Sequence, residues 1–174
     1  MDSTPLRLAY AGFLEVADTV AAAGTGPAPP PGEWNADQLL AHLVAVDAGI
    51  LAAACSVAAG GHATFDNRLS LDPWNLARIS ARSGGQAQLR QRIRVQGEAL
   101  CALAEQLGED ELDQPIPTLL LSGGTLLLDQ PVSLRDLISG LAEDHLPRHA
   151  QQLLALLPQQ ALFAHSGNGG GLHG

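Results

Sequence analysis

Residues 133–158 read SLRDLISGLAEDHLPRHAQQLLALLP, and this stretch decides the fold class. Leu134, Leu137, Ile138, Leu141, His145, His149, Leu153 and Leu156 recur mainly at spacings of three and four, the repeat of one helical face. Ser133 stands as N-cap, Asp136 falls in the first turn, and Pro158 ends the run. Pro147 lies inside it. It lacks the N–H that would bond the Glu143 carbonyl and predicts a local bend. Two histidines occupy positions where the pattern asks for apolar side chains.

Three more helical stretches precede this one. Thr4 to Ala23 carries a loose stripe of Leu8, Ala11, Phe13, Val16 and Val20, and Gly24 stops it. Residues 25–32 form a linker with four prolines. The second helix runs from Asn35, an N-cap with Gln38 three residues on, to about Ala59. Its face is Leu39, Leu43, Val46, Ile50, Ala53 and Val57, and Gly60-Gly61 ends it. Residues 62–72 read as a loop. Asp72-Pro73 opens a third helix that reaches Leu107 and breaks at Ser83-Gly84-Gly85, where Ser83 is expected to recap the second part. That part has a face of Leu89, Ile93, Leu100, Leu103 and Leu107. Residues 116–132, IPTLLLSGGTLLLDQPV, change period and predict a β-hairpin turning at Ser122-Gly123-Gly124, although Leu is a weak strand former. The tail from Gln159 to Gly174 is Gly-rich and is set apart from a domain spanning residues 1–158.

Composition agrees with an all-α chain. Of 174 residues, 46% are hydrophobic and only 3% aromatic, so Leu and Ala, good helix formers, must build the core. The net charge is −9, and all 9 basic residues are Arg. No basic face is available for nucleic acid or for anionic membranes. The apolar window from Leu39 to Gly60 is long enough to span a bilayer, yet it holds His42 and Asp47 and lacks flanking cations. A buried helix is expected, and no signal peptide is read at the start. Cys55 and Cys101 form no CxxC pair, and a cytoplasmic chain with reduced, buried thiols is expected.

His42 falls on the apolar face of the second helix, and His145 and His149 are consecutive on the stripe of the last. Residues four apart on a helix are separated by about 40° around the axis and about 6 Å along it. Two imidazoles so placed can turn to one ion, and a third from a facing helix completes three ligands. A shared divalent cation satisfies one nitrogen on each buried ring, and neutral imidazole suits Zn, Ni, Fe or Cu. Three ligands leave a coordination position open. The spacing alone also accommodates three core histidines bonded to neighbouring polar groups.

Helix two, EWNADQLLAHLVAVD from Glu33 to Asp47, and helix four, DHLPRHAQQL from Asp144 to Leu153, together resemble the DinB/YfiT-like superfamily. The resemblance rests on a Trp before the second helix, a His about eight residues on and a late D-H-x-x-x-H-x-x-Q. It extends over about the first 157 residues. It implies a DinB-like four-helix bundle with a long crossover, a short hairpin or irregular insert before the last helix, and a metal at one end. It implies His42, His145 and His149 as the metal ligands, Gln152 as a supporting residue and Trp34 as a packing anchor. Relatives include mycothiol-dependent maleylpyruvate isomerases and bacillithiol S-transferases. The isomerases carry Glu at the first helix-four ligand, where this chain has His145.

The expected function is therefore metal-dependent, thiol-assisted transfer or isomerisation on a small electrophile, with a thiol such as mycothiol as cofactor and a homodimer as the family's frequent assembly. The alternative is a non-catalytic metal- or ligand-binding bundle of a stress response. No catalytic side chain is singled out. Arg78, Arg82, Arg90, Arg92 and Arg94 on the third helix could clamp the carboxylates of a thiol, but they read first as a solvated face. Arg148 reads as a solvent-facing charge, and His62 as a loop residue. His165 and His173 lie in the tail.

Overall fold

The structure, a computed structural model, describes residues 1–24, 29–30 and 32–157. Most of the proline linker and the whole Gly-rich tail, with His165 and His173, therefore lie outside the described residues. The chain is mostly helical. Helix α1 (Thr4–Ala23) packs against α5 (Gln86–Gln106), α2 (Ala36–Ala58) packs against α5 and α4 (Pro73–Ser83), and α1 also meets the final helix α8 (Leu146–Leu154). Two short helices, α3 (Arg68–Leu71) and α6 (Glu109–Leu112), flank the α4–α5 pair in sequence. The last helical run begins with α7 (Leu134–Gly140), continues through a π-helical turn at Leu141–His145 and passes into α8.

Local chemistry explains these boundaries. Asn35 accepts from the Gln38 N–H while the Gln38 side chain accepts from the Asn35 N–H, a complete capping box. Asp72 caps α4 and Ser133 caps α7. Ser83 does not recap. Its hydroxyl donates back to the Ile79 carbonyl, Gly85 precedes α5, and the Gln86 side chain donates instead to Asp37. Pro147 acts through winding: the Leu146 N–H bonds the Leu141 carbonyl five residues back, in the widened turn just before the proline.

The buried face of α1 is Leu6, Tyr10, Phe13, Leu14, Ala17 and Val20. This corrects the expected stripe, from which Leu8 and Ala11 are exposed. The observed set keeps a tighter helical repeat, and Tyr10 enters the core because its hydroxyl donates to Asp47 at 2.7 Å. Helix α2 is long and apolar enough to cross a membrane, but most of its apolar stretch is buried in this domain. Cys101 is buried, whereas Cys55 is exposed on the side of α2 away from Ala53, Ala54 and Val57, which corrects the expectation of two buried thiols.

The hairpin forms as β2 (Pro115–Ser122) and β3 (Thr125–Ser133), antiparallel, with Gly123 and Gly124 both at positive φ in the two-residue turn. An all-α description omits one further strand. Phe65–Asp66 (β1) lies in the stretch read as loop and pairs parallel with β2 through Phe65↔Thr118 and Asp66↔Leu119. A strand of two residues leaves no alternation for a sequence pattern to reveal.

Candidate metal centre

Helix α2 carries His42, the end of the π turn carries His145, and α8 carries His149. Their ring nitrogens lie within 4.8 Å of one another. Ring centroids are 5.2 Å apart for His42–His145, 4.8 Å for His42–His149 and 4.5 Å for His145–His149. His42 and His149 are buried and His145 partly so. The convergence expected from helical spacing is thus present, across 103 residues between His42 and His145.

Hydrogen bonds outside the cluster set the tautomers. The Ser70 carbonyl can only accept, so His42 Nδ1 donates to it at 2.7 Å and leaves Nε2 unprotonated in the neutral ring. His149 Nδ1 lies 2.6 Å from Gln152 Oε1 and donates to it, which leaves its Nε2 free as well. His42 Nε2 stands 3.1 Å from His145 Nε2. His145 Nδ1 is buried and has no partner among the described residues. Three converging ring nitrogens, two of them left as lone pairs by the outer hydrogen bonds, fit a cation, since one ion accepts electron density from all three.

Electrostatics act in the same direction. Burial pushes the His42 pKa from 6.5 to about 4, with the neighbouring His149 adding to the effect. Burial followed by the other two rings lowers His145 further, and burial also lowers His149 against the support of Gln152. Neutral imidazole is the form that binds metal, so no proton has to be expelled at neutral pH.

Trp34 borders the cluster, 4.7 Å between centroids from His42 and 6.3 Å, nearly parallel, from His149. Arg148 is half-exposed and pairs with Asp144 one turn back, so it is engaged at the rim. The arginines of α4 and α5 do not line the site; Arg90 pairs with Asp18, and Arg78 lies over the exposed Trp74. His62 is exposed in its loop. The Ser70 carbonyl, which orients His42, had no signal in the sequence, because a backbone acceptor is independent of residue type. A cavity of about 1600 Å³ opens beside the cluster.

Residues 6–153 match the sequence model of the DinB superfamily. The chain belongs to the DinB superfamily. No curated protein and no solved structure matches it. The family match spans all three histidines and both helices whose motifs suggested it. It leaves the reaction of this DinB-superfamily protein to be argued from the site.

Proposed function

We propose that this DinB-superfamily protein is a metal-dependent enzyme, a thiol-dependent S-transferase or isomerase acting on a small electrophile. One observation carries the reading: three imidazoles, one from α2 and two from the junction of the π turn and α8, converge beside a large cavity. In this reading α1, α2, α5 and the α7–α8 run form a DinB-like four-helix bundle, and His42, His145 and His149 hold one Zn, Ni or Fe ion. A bound ion supplies Lewis acidity and lowers the pKa of a thiol or water at its open position. Ser70 and Gln152 fix the His42 and His149 rings through their Nδ1 hydrogens. Trp34 packs beside the His42 and His149 rings and borders the cavity. A thiol such as mycothiol, a cytoplasmic setting and a homodimer complete the proposal.

A second reading is a non-catalytic metal- or ligand-binding protein of a stress response. It is favoured by the absence of a buried carboxylate among the described cavity residues, since Glu33, Asp136 and Asp144 are all exposed. The deciding experiment is elemental analysis of untagged, chelator-free protein beside His42→Ala and His145→Ala, followed by turnover assays with thiols and electrophiles. About one equivalent of metal in the parent, lost in both variants, with turnover that needs both metal and thiol, supports the enzyme. Metal without turnover favours the second reading. No metal uptake by folded protein defeats both metal readings.

A further inference from the structure

We propose that the cavity beside the histidines binds an uncharged, largely apolar molecule rather than an anionic one. This deepens the proposed function by naming the class of its acceptor, and it rests on that reading only for the end of the ligand that faces the histidines. The walls are apolar: Leu39, Val46 and Ile50 come from α2, Phe65 from β1, and Leu137 and Leu141 from the last helical run. The volume, about 1600 Å³, exceeds the roughly 300–1,000 Å³ of pockets that take drug-sized ligands. It therefore accommodates a long chain or a fused-ring body.

The hairpin is shaped to the same end. The register shift opposite Leu120 and Leu121 leaves Leu127 as an extra residue on β3 and breaks the alternation of faces there; consecutive leucines line the cavity, Leu120 and Leu121 on β2 and Leu127 and Leu128 on β3. Leu127 remains 59% exposed. Leucines held at an open wall instead of the core present apolar surface for a ligand to cover.

Charge selects among apolar ligands. Of the described residues lining the cavity, Glu33, Asp136 and Asp144 are acidic and Arg148 is the one Arg, already paired with Asp144. Away from the histidine end, a carboxylate, phosphate or sulfonate meets a negative mouth with no unpaired cationic side chain among the described lining residues to hold it. The cluster of arginines on α4 and α5 lies elsewhere.

The test uses two fluorophores with one ring skeleton, uncharged N-phenyl-1-naphthylamine and anionic 8-anilino-1-naphthalenesulfonate. Both are titrated into the full chain with and without zinc. The inference expects saturable one-to-one binding of the uncharged probe, at least about tenfold tighter than the sulfonate. It expects weaker binding in Leu121→Trp and Leu128→Trp, a smaller preference in the Glu33→Gln/Asp136→Asn double variant, and binding of the uncharged probe that persists without zinc. No saturable binding, equal affinity for the two probes, or indifference to both tryptophan variants overturns it. Metal uptake is measured in parallel: its absence defeats the proposed function while probe binding still supports this inference.

Discussion

Gln152 shows how one side chain outside the ligand set controls the site. Its Oε1 holds the Nδ1 hydrogen of His149, which orients that ring toward His42 and His145. Gln152→Ala is therefore expected to weaken zinc binding by about 10–100-fold without unfolding the chain. Competition with a chromophoric chelator measures this, and unchanged affinity would show that Gln152 does not position the ring. The three histidines were legible in the sequence because each polar ring interrupts an apolar stripe. Asp47 was legible only in part. Its place on the second helix could be read, but its bond to Tyr10 required the packing of α1. Burial raises the Asp47 pKa from 3.8 to about 7, against the Tyr10 hydrogen bond that lowers it. The native state then keeps a proton that the unfolded chain has released, so this contribution to stability is full below about pH 3.8 and lost as pH rises to about 7. His42 has the opposite sign. Its pKa falls from 6.5 to about 4, so its contribution is full above about pH 6.5 and lost as pH falls toward 4. Between those limits the two slopes oppose each other. In metal-free protein, Asp47→Asn removes one of them, and its denaturation midpoint is expected to climb more steeply from pH 4 to 6.5 than that of the parent. Identical slopes would contradict the assignment.

Elements were legible where local chemistry marks their ends. The ends read at about Thr4 and Ala23 are those of α1, and the Asn35–Gln38 box starts α2 where expected. The hairpin turn sits at Gly123-Gly124 because two successive positive φ angles suit glycine. Elements that depend on distant partners were less legible. Strand β1 exists through its pairing with β2, and the π turn arises where a proline must be fitted into a packed helix. The contact of α1 with α5 is of the same kind. A Cβ on Gly97 would stand 2.9 Å from three atoms of the Tyr10 ring, closer than real Cβ contacts allow. The ring is held by Asp47 and cannot swing away without breaking that bond. Gly97→Ala is expected to destabilise the fold by about 1–3 kcal/mol through overpacking, although alanine is the better helix former. Chemical denaturation decides the sign, and a gain in stability would mean that α1 and α5 separate easily.

At the scale of the molecule, the histidine cluster joins parts of the chain that the core alone must otherwise hold together. His42 lies on α2, and His145 and His149 lie at the junction of the π turn and α8, more than 100 residues later. Family membership was within reach of the sequence through the resemblance carried by Trp34, His42 and the late D-H-x-x-x-H-x-x-Q motif, and the convergence of the three histidines through their spacing on helical faces. The cavity was not, since its walls come from α2, β1, the hairpin and the last helical run, and no single pattern spans them. A cation bound at the cluster stabilises only the folded arrangement, because the unfolded chain does not hold the three rings together. The gain grows as RT ln(1 + [L]/Kd) and reaches about 2.7 kcal/mol at a free-ion concentration of 100 Kd. For a chain of this size that corresponds to an upward shift of about 5–11 °C in the midpoint of thermal unfolding. Zinc added to metal-free protein should produce this shift, a chelator should reverse it, and His145→Ala should abolish it. Because burial lowers the pKa of all three rings, the shift should fall off less on going to pH 6 than it would for free histidines, which are mostly protonated there. A zinc-induced rise that survives in His145→Ala would place the ion elsewhere on the protein, and no rise in the parent would leave the three histidines as core residues.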